Sequence, residues 1–169
     1  MATPYTFITD EQALLIESAP LFFVSTVDPT IEATENGLGP INLSPKGGSP
    51  LHVVGPNRVA YLDYVGSGDE TARHTSSGSP ITVLVCSFEE GDCAIVRLYG
   101  KATITPVDES PLANQLRQMP AAELNLPERQ VIEIEVKTTA TSCGYGLPVM
   151  SFIRNRTIND RGRKFKERR

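Results

Sequence analysis

Two long stretches of the chain alternate apolar and polar residues one by one. In residues 94–105, Val96 and Leu98 belong to an apolar set and Tyr99 to a polar set, and residues 129–138 repeat the pattern. Successive side chains of a β-strand point to opposite faces, so each stretch predicts a strand with one buried face and one solvated face. The chain therefore has to build its core around a β-sheet.

Five further segments are rich in apolar and β-branched residues and predict strands, at residues 21–27, 40–44, 51–54, 58–64 and 81–88. The last is apolar at nearly every position, so we expect both of its faces to be buried. Consecutive strands and a hairpin at residues 55–57 favour an antiparallel sheet closing into a small barrel, which removes exposed edges. Short helices are expected at residues 10–17, 67–75 and 109–119, and after Pro148. The predicted fold class is mainly β with short helices.

The length of 169 residues suits a single domain. The net charge of −4 is unevenly spread, because residues 161–169 carry six basic and one acidic side chain and the rest carries −9. We therefore expect a domain at residues 1–155 and a basic tail at residues 156–169. An acidic body does not suit a nucleic-acid-binding domain. The tail is either a solvated end or a contact for phosphates or an acidic partner.

Several other classes of protein are disfavoured. No apolar run is long enough to cross a membrane, and the N-terminus lacks the basic and apolar regions of a secretory signal. Three cysteines, Cys86, Cys93 and Cys143, lack metal-ligand spacing, and only two histidines are present. These features predict a cytoplasmic protein that uses neither a metal centre nor a disulfide framework.

The first candidate site is NLSPKG, residues 42–47. Asn42 and Ser44 occupy alternate positions of one strand face, and Lys46 stands at the mouth of a glycine-rich turn. This arrangement suits a planar anionic ligand, although a polar strand edge running into an ordinary turn has the same pattern.

The second candidate is the Gly66-Ser67-Gly68 turn between a strand and a helix. The first backbone N–H groups of a helix can bind an anion. Alternatively, Ser67 and Glu70 form a capping box, and both interpretations stay open here.

The third candidate is TSCGYGLP, residues 141–148, where Cys143 precedes a tight turn. A nucleophilic cysteine needs a base, and His74 is the one plausible partner, so a small buried thiol in a close-packed loop is the simpler interpretation. Arg97 and Tyr99, on the polar face of their strand, either line a ligand site or make cross-strand pairs.

Five segments of the chain together resemble the flavin-binding split-barrel proteins related to pyridoxamine 5′-phosphate oxidase. They are FFVST at 22–26, INLSPKG at 41–47, NRVAYLDYVGSGDETARH at 57–74, VRLYG at 96–100 and SCGYGLP at 142–148. The resemblance implies a six-stranded antiparallel split barrel that forms a homodimer, with FMN at the subunit interface. It also implies an FMN-binding oxidoreductase acting on an unknown small substrate, with neither nucleic acid nor membrane as a partner.

The same resemblance assigns roles to individual residues. Asn42, Ser44 and Lys46 would face the flavin ring and its phosphate. The ribityl-phosphate side would be served by Asp63, Ser67, Thr71 and Arg73. Arg97 belongs to the strand below the ring, and Tyr145 and Gly146 would close the pocket. The cofactor supplies the chemistry in such enzymes, so no catalytic side chain is predicted.

The chain departs from the oxidase pattern at one turn. The oxidase has a Ser-Arg-Lys run that neutralises the FMN phosphate, whereas this chain has Ser67-Gly68-Asp69-Glu70. Lys46, Arg73 and backbone N–H groups would have to meet the phosphate instead, and vitamin B6 oxidation is not expected. The alternatives are a non-catalytic protein that binds flavin, haem or another anion on the same barrel, and a deazaflavin reductase.

Overall fold

A computed structural model describes residues 2–32, 39–66, 68–118 and 127–156. Eight strands and three short helices account for the regular structure of these residues, which confirms the mainly β fold class. The helices are α1 (Asp10–Ser18), α2 (Glu70–Ser76) and α3 (Ala113–Gln118). The strands are β1 (Thr3–Tyr5), β2 (Leu21–Val27), β3 (Ile41–Gly47), β4 (His52–Gly55), β5 (Arg58–Tyr64), β6 (Pro80–Cys86), β7 (Ala94–Pro106) and β8 (Glu128–Cys143).

All eight strands belong to one antiparallel sheet. The hydrogen-bonded order is β3-β2-β6-β7-β8-β5-β4, and β1 pairs with β8. The sheet has eight strands rather than the expected six, partly because β8 continues past Thr138. The additional residues of β8 pair with β1, with Thr141 opposite Thr3. In the described ranges no ladder joins β3 to β4, so the antiparallel sheet is not closed, which agrees with the split barrel that the resemblance implies.

The sheet curls around its core. Phe22 on β2 and Tyr61 on β5 are not on neighbouring strands, yet their ring centroids lie 5.1 Å apart in an edge-to-face contact. Around this pair pack buried residues such as Val83, Leu98 and Ile134. A smaller cluster forms where Leu116 of α3 packs against Leu62 of β5.

The alternating pattern of β7 is confirmed, because Val96 and Leu98 are buried while Tyr99 and Lys101 are exposed. On β6 the burial also alternates: Val83 and Val85 are buried, but Leu84 is only half-buried. The expectation that both faces of this strand are buried is therefore only partly met within one chain.

The predicted first helix is confirmed. Thr9 caps α1, since the Gln12 N–H donates to Thr9 Oγ1 at 3.3 Å and the Thr9 N–H donates to Gln12 Oε1 at 3.1 Å. The expected helix after Pro148 is wrong for residues 148–156, which have no regular structure. There the Met150 N–H donates to the distant carbonyl of Phe88, at 2.9 Å. None of the described helices is long and apolar enough to cross a membrane.

Candidate functional site

Asn42, Ser44 and Lys46 share the inner face of β3, at the edge of the sheet. This face is buried or half-buried along the strand, while the outer face carries two apolar side chains, Ile41 and Leu43, which are 72% and 68% exposed. Every second residue of β3 therefore points toward α2 and β5, and the residues between them form an exposed apolar surface on an edge strand.

The Asn42 amide hydrogen-bonds three side chains of the same chain. Its Nδ2 donates to Thr26 Oγ1 at 3.2 Å and to Thr71 Oγ1 at 3.1 Å, and its Oδ1 accepts from Ser44 Oγ at 2.8 Å. These bonds tie β3 to β2 and to α2. Thr71 was predicted on the ribityl-phosphate side of the flavin and Asn42 on its ring side. The two residues belong to one hydrogen-bond network, in which they bond to each other.

His74 extends this network into the interior. Its Nδ1 lies 3.2 Å from Thr26 Oγ1, and the side chain is only 2% exposed. A buried polar group needs a partner, and α2 is packed on β2 so that Thr26 provides one. Among the described residues no interaction joins His74 to Cys143, so the structure gives the idea of a Cys143–His74 catalytic pair no support. The Cys143 thiol is exposed, and the expectation that it is buried is wrong.

A second cluster lies at the split of the barrel, around the carboxylate of Asp63. Lys46 Nζ is 3.3 Å from Asp63 Oδ1, and Arg129 donates to Oδ2 from Nε at 3.1 Å and from Nη2 at 2.6 Å. Gln130 Nε2 donates to the same oxygen at 2.9 Å. The Asp63 side chain is 8% exposed, against 20% for Lys46 and 26% for Arg129. Two cations therefore surround one buried anion.

Arg129 also connects this cluster to the segment before α2, because its Nη2 donates to the Gly68 carbonyl at 3.0 Å. The sequence analysis missed Arg129 as a site residue. It stands at the start of β8, and it reaches Asp63 because β5 and β8 pair with Asp63 opposite Gln130. This strand register brings together residues that are far apart in the sequence, so no local sequence pattern predicts the contact.

Next to Asp63 on β5, the hydroxyl of Tyr61 is buried without a hydrogen-bond partner among the described residues. Burial raises the pKa of Tyr61 strongly, and the negative charge of Asp63 raises it further, while Arg129 acts in the opposite direction. The buried site therefore favours the neutral, protonated phenol.

Arg73, which was predicted to meet the flavin phosphate, pairs with the two acids of its own turn. Its Nε is 2.8 Å from Asp69 Oδ1 and its Nη2 is 3.8 Å from Glu70 Oε1, and its side chain is 54% exposed. The hydrogen bond from Arg73 lowers the pKa of Asp69, and the same bond raises the pKa of Arg73. The two acids of the turn are thus neutralised in part by their own helix.

The start of α2 differs from the prediction. The helix begins at Glu70 with Asp69 at the N-cap, and Asp69 makes no side-chain capping bond. The alternative of a capping box formed by Ser67 and Glu70 cannot be followed in the structure. Ser67 itself lies outside the described residues.

The remaining predicted site residues do not join either cluster. Arg97 Nη1 donates to Ser142 Oγ at 2.9 Å, which links β7 to β8. Tyr145 is 90% exposed in the turn after β8, and a Cβ on Gly146 would meet no atom within 4 Å. In a single chain these two residues project into solvent.

An apolar cleft of about 800 Å³ lies beside β3. The end of α1 and the start of β2 form one side, and the C-terminal segment that contains Met150 and Phe152 forms another. Pro45 and Gly47 line the cleft, so it lies against the outer face of β3, opposite the face that carries Lys46. It has the size of a small-molecule pocket.

Comparison with known proteins gives one relative and several similar structures. No family model matches the chain. The pyridoxamine 5′-phosphate oxidase family protein ustO of Aspergillus flavus is 35% identical over 133 residues, which is 78% of this chain and 50% of the relative. The chain thus spans about half the length of that relative.

Two solved structures share the fold. A proposed pyridoxamine 5′-phosphate oxidase from Lactobacillus delbrueckii has a TM-score of 0.57 and 18% identity, covering 80% of this chain and 94% of that protein. An FMN-binding protein from Syntrophomonas wolfei has a TM-score of 0.55 and 14% identity, covering 85% of this chain and 89% of that protein. At such identities the likeness shows the split-barrel fold.

Proposed function

Because the chain belongs to the pyridoxamine 5′-phosphate oxidase-like family of split-barrel proteins, we propose that it is an FMN-dependent oxidoreductase. The observation that carries the proposal is the pair of cations, Lys46 and Arg129, around Asp63 at the split of the barrel. In this proposal the cluster holds the flavin phosphate, and the substrate is a small molecule of unknown identity.

The donors of this cluster fit a phosphate. Lys46 has three N–H donors and Arg129 has five. Within the described residues Lys46 makes a single contact, and Arg129 makes its contacts through Nε and Nη2, so its Nη1 is available. With Asp63 ionised, the three side chains carry one net positive charge. A phosphate oxygen would gain charge-assisted hydrogen bonds, each contributing about 1.5–3 kcal/mol.

The acidic turn at Asp69 and Glu70 opposes phosphate binding less than its sequence indicates. Asp69 and Glu70 both contact the guanidinium of Arg73. We therefore assign Arg73 the role of compensating these acids, and we assign Arg129 the role of phosphate ligand that the sequence analysis gave to Arg73.

When bound, FMN supplies the hydride chemistry, and the protein has to hold it, orient it and limit the access of water. Lys46 and Arg129 would hold the phosphate. Asn42 would act indirectly, by fixing the inner face of β3 against Thr26 and Thr71.

We further propose that the protein works as a homodimer in the cytoplasm. Ile41 and Leu43 expose apolar surface on β3, a strand whose outer edge is unpaired among the described residues. A second copy packed there would cover this surface and the open side of the flavin site. The three free cysteines of this protein are compatible with a reducing compartment such as the cytoplasm.

Flavin titration tests the proposed phosphate site. The affinities of FMN and of riboflavin, which lacks the phosphate, are measured by flavin fluorescence for the wild type and for Lys46→Ala. The variant is expected to bind FMN about ten- to hundredfold more weakly and riboflavin equally well. Lys101→Ala is the matched control, because Lys101 is exposed on β7. An equal loss for both flavins would remove Lys46 from the phosphate site.

A second measurement separates an enzyme from a non-catalytic flavin carrier. The flavin-loaded protein is mixed with NADH or NADPH, and bleaching of the flavin absorbance is followed. Reduction by either nucleotide, followed by reoxidation with an added acceptor, supports an oxidoreductase. A bound flavin that neither nucleotide reduces favours a carrier.

Light scattering during size-exclusion chromatography tests the dimer. The wild type is expected to elute as a dimer and Leu43→Glu as a monomer. Leu14→Glu is the control, because Leu14 on α1 is similarly exposed, at 70% against 68% for Leu43. A wild type that is monomeric at micromolar concentration would exclude the shared site.

A further inference from the structure

Two of the three cysteines meet where the longest pair of strands ends. Cys93 immediately precedes β7 and Cys143 is the last residue of β8, and their Sγ atoms lie 3.8 Å apart. Just beyond this point the Gly144 N–H donates to the Cys93 carbonyl at 3.0 Å, which holds the two backbones together. Both thiols are exposed, whereas Cys86 is 5% exposed.

We propose that Cys93 and Cys143 are a redox-reversible pair that forms an intramolecular disulfide when a low-molecular-weight disulfide, such as oxidised glutathione, acts as the oxidant. The geometry supports this because the two sulfurs are already in contact. A side-chain rotation has to bring them from 3.8 Å to the bonding distance of about 2.05 Å. The backbone hydrogen bond next to them limits how far the strands must move.

The exchange balances in two steps. The thiolate of one cysteine attacks the oxidant, so that a mixed disulfide forms and one glutathione thiolate leaves. The second cysteine then attacks its neighbour's sulfur, forming the Cys93–Cys143 bond and releasing the second glutathione thiolate. The two protons of the cysteines end on the two glutathione molecules, and the two electrons pass to the oxidant.

The resting state of the pair is the dithiol. Desolvation and the hydrogen bond with Cys143 raise the pKa of the Cys93 thiol, so this thiol is protonated at neutral pH. It therefore exchanges only slowly unless the oxidant is supplied in excess. Once formed, the cross-link would join the start of β7 to the end of β8 and constrain the turn that exposes Tyr145.

The test uses the full chain at a defined ratio of oxidised to reduced glutathione. Remaining thiols are alkylated, the intact mass is measured, and the protein is digested with trypsin together with a glutamyl endopeptidase. Cleavage after Glu89 and Glu90 is essential, because it separates Cys86 from Cys93. Non-reducing electrophoresis detects any bond between chains.

The expected product has lost two hydrogens, contains one linkage between the Cys93 and Cys143 peptides, and reverts with dithiothreitol. Cys86→Ala should behave in the same way. Cys93→Ser cannot complete the second step, so it should accumulate one glutathionyl group on Cys143. The proposal is overturned if the wild type keeps stable glutathionyl adducts on both cysteines, if the linkage involves Cys86, or if the bond joins two chains.

Discussion

Arg129 binds a single oxygen of the Asp63 carboxylate through two of its nitrogens, at 3.1 Å from Nε and 2.6 Å from Nη2. The contact fastens the start of β8 to the end of β5 at the split of the barrel, and Lys46 reaches the other oxygen from β3. The proposed phosphate site is therefore also an element that holds three strands together.

Removing Arg129 should consequently cost stability as well as flavin affinity. Arg129→Ala leaves a nearly buried carboxylate with Lys46 as its remaining cation. Because the Arg129 side chain is itself 26% exposed, we expect a loss of about 2 kcal/mol, below the value for a fully buried pair. Urea unfolding measures this loss.

The matched control is Arg58→Ala. Arg58 pairs with Glu133 across the same two strands, β5 and β8, but its side chain is 49% exposed. Exposed pairs contribute at most about 1 kcal/mol. Equal losses in the two variants would show that burial of Asp63 does not strengthen its pair with Arg129.

Asn42→Ala should lower stability more than it lowers the intrinsic affinity for flavin. The substitution leaves the hydroxyls of Thr26, Thr71 and Ser44 without the amide that each contacts. A loss of about 2 kcal/mol in the free energy of unfolding is expected. Flavin titration of the folded variant then gives the second readout. A large loss of affinity with unchanged stability would instead make Asn42 a direct ligand.

Local patterns were sufficient to predict much of the fold. The alternation in residues 94–105 depends on the strand's own period, and the first helix was predicted from the pattern of residues 9–17 alone. The pairing of Arg73 with Asp69 follows from a spacing of four on one helix, and the sequence analysis could have found it.

Other features depend on register between distant segments and could not be predicted in this way. Arg129 meets Asp63 because Gln130 lies opposite Asp63 in the sheet. The Asn42 amide is held by Thr26 and Thr71, residues of two other elements. The extension of β8 to Cys143 depends on partners in both β1 and β7. Such pairings are set by the tertiary fold and not by any one segment.

Gly100 should tolerate no side chain. It lies at a bulge, since the pairing shifts between Tyr99 and Gly100, and a Cβ there would be 2.1 Å from the Glu135 carbonyl oxygen. Gly100→Ala has to push two backbones apart, which should cost about 3 kcal/mol. Thermal unfolding measures this loss of stability. Gly146→Ala is the control, because that position faces open space. A variant of Gly100 as stable as the control would contradict the close approach.

His52 should make stability depend on pH between about 7.5 and 5.5. Its side chain is 5% exposed on β4, and burial lowers its pKa below the ordinary value of about 6.5. In the unfolded chain the imidazole protonates near that ordinary value, whereas in the folded protein it resists protonation. The unfolded state thus binds more protons in this range, so stability is lost as the pH falls below about 6.5, by at most about 1.4 kcal/mol per pH unit.

His52→Gln removes this titration, and the comparison of the two proteins isolates it. Carboxylates and every other titrating group are common to both, so their contribution cancels in the difference between the free energies of unfolding. Urea unfolding at several pH values should show the wild type losing stability faster than the variant as the pH falls, even if His52→Gln is less stable at pH 7.5. Parallel pH profiles would mean that the His52 imidazole has the same pKa in the folded and unfolded states, and that its burial on β4 carries no charge penalty.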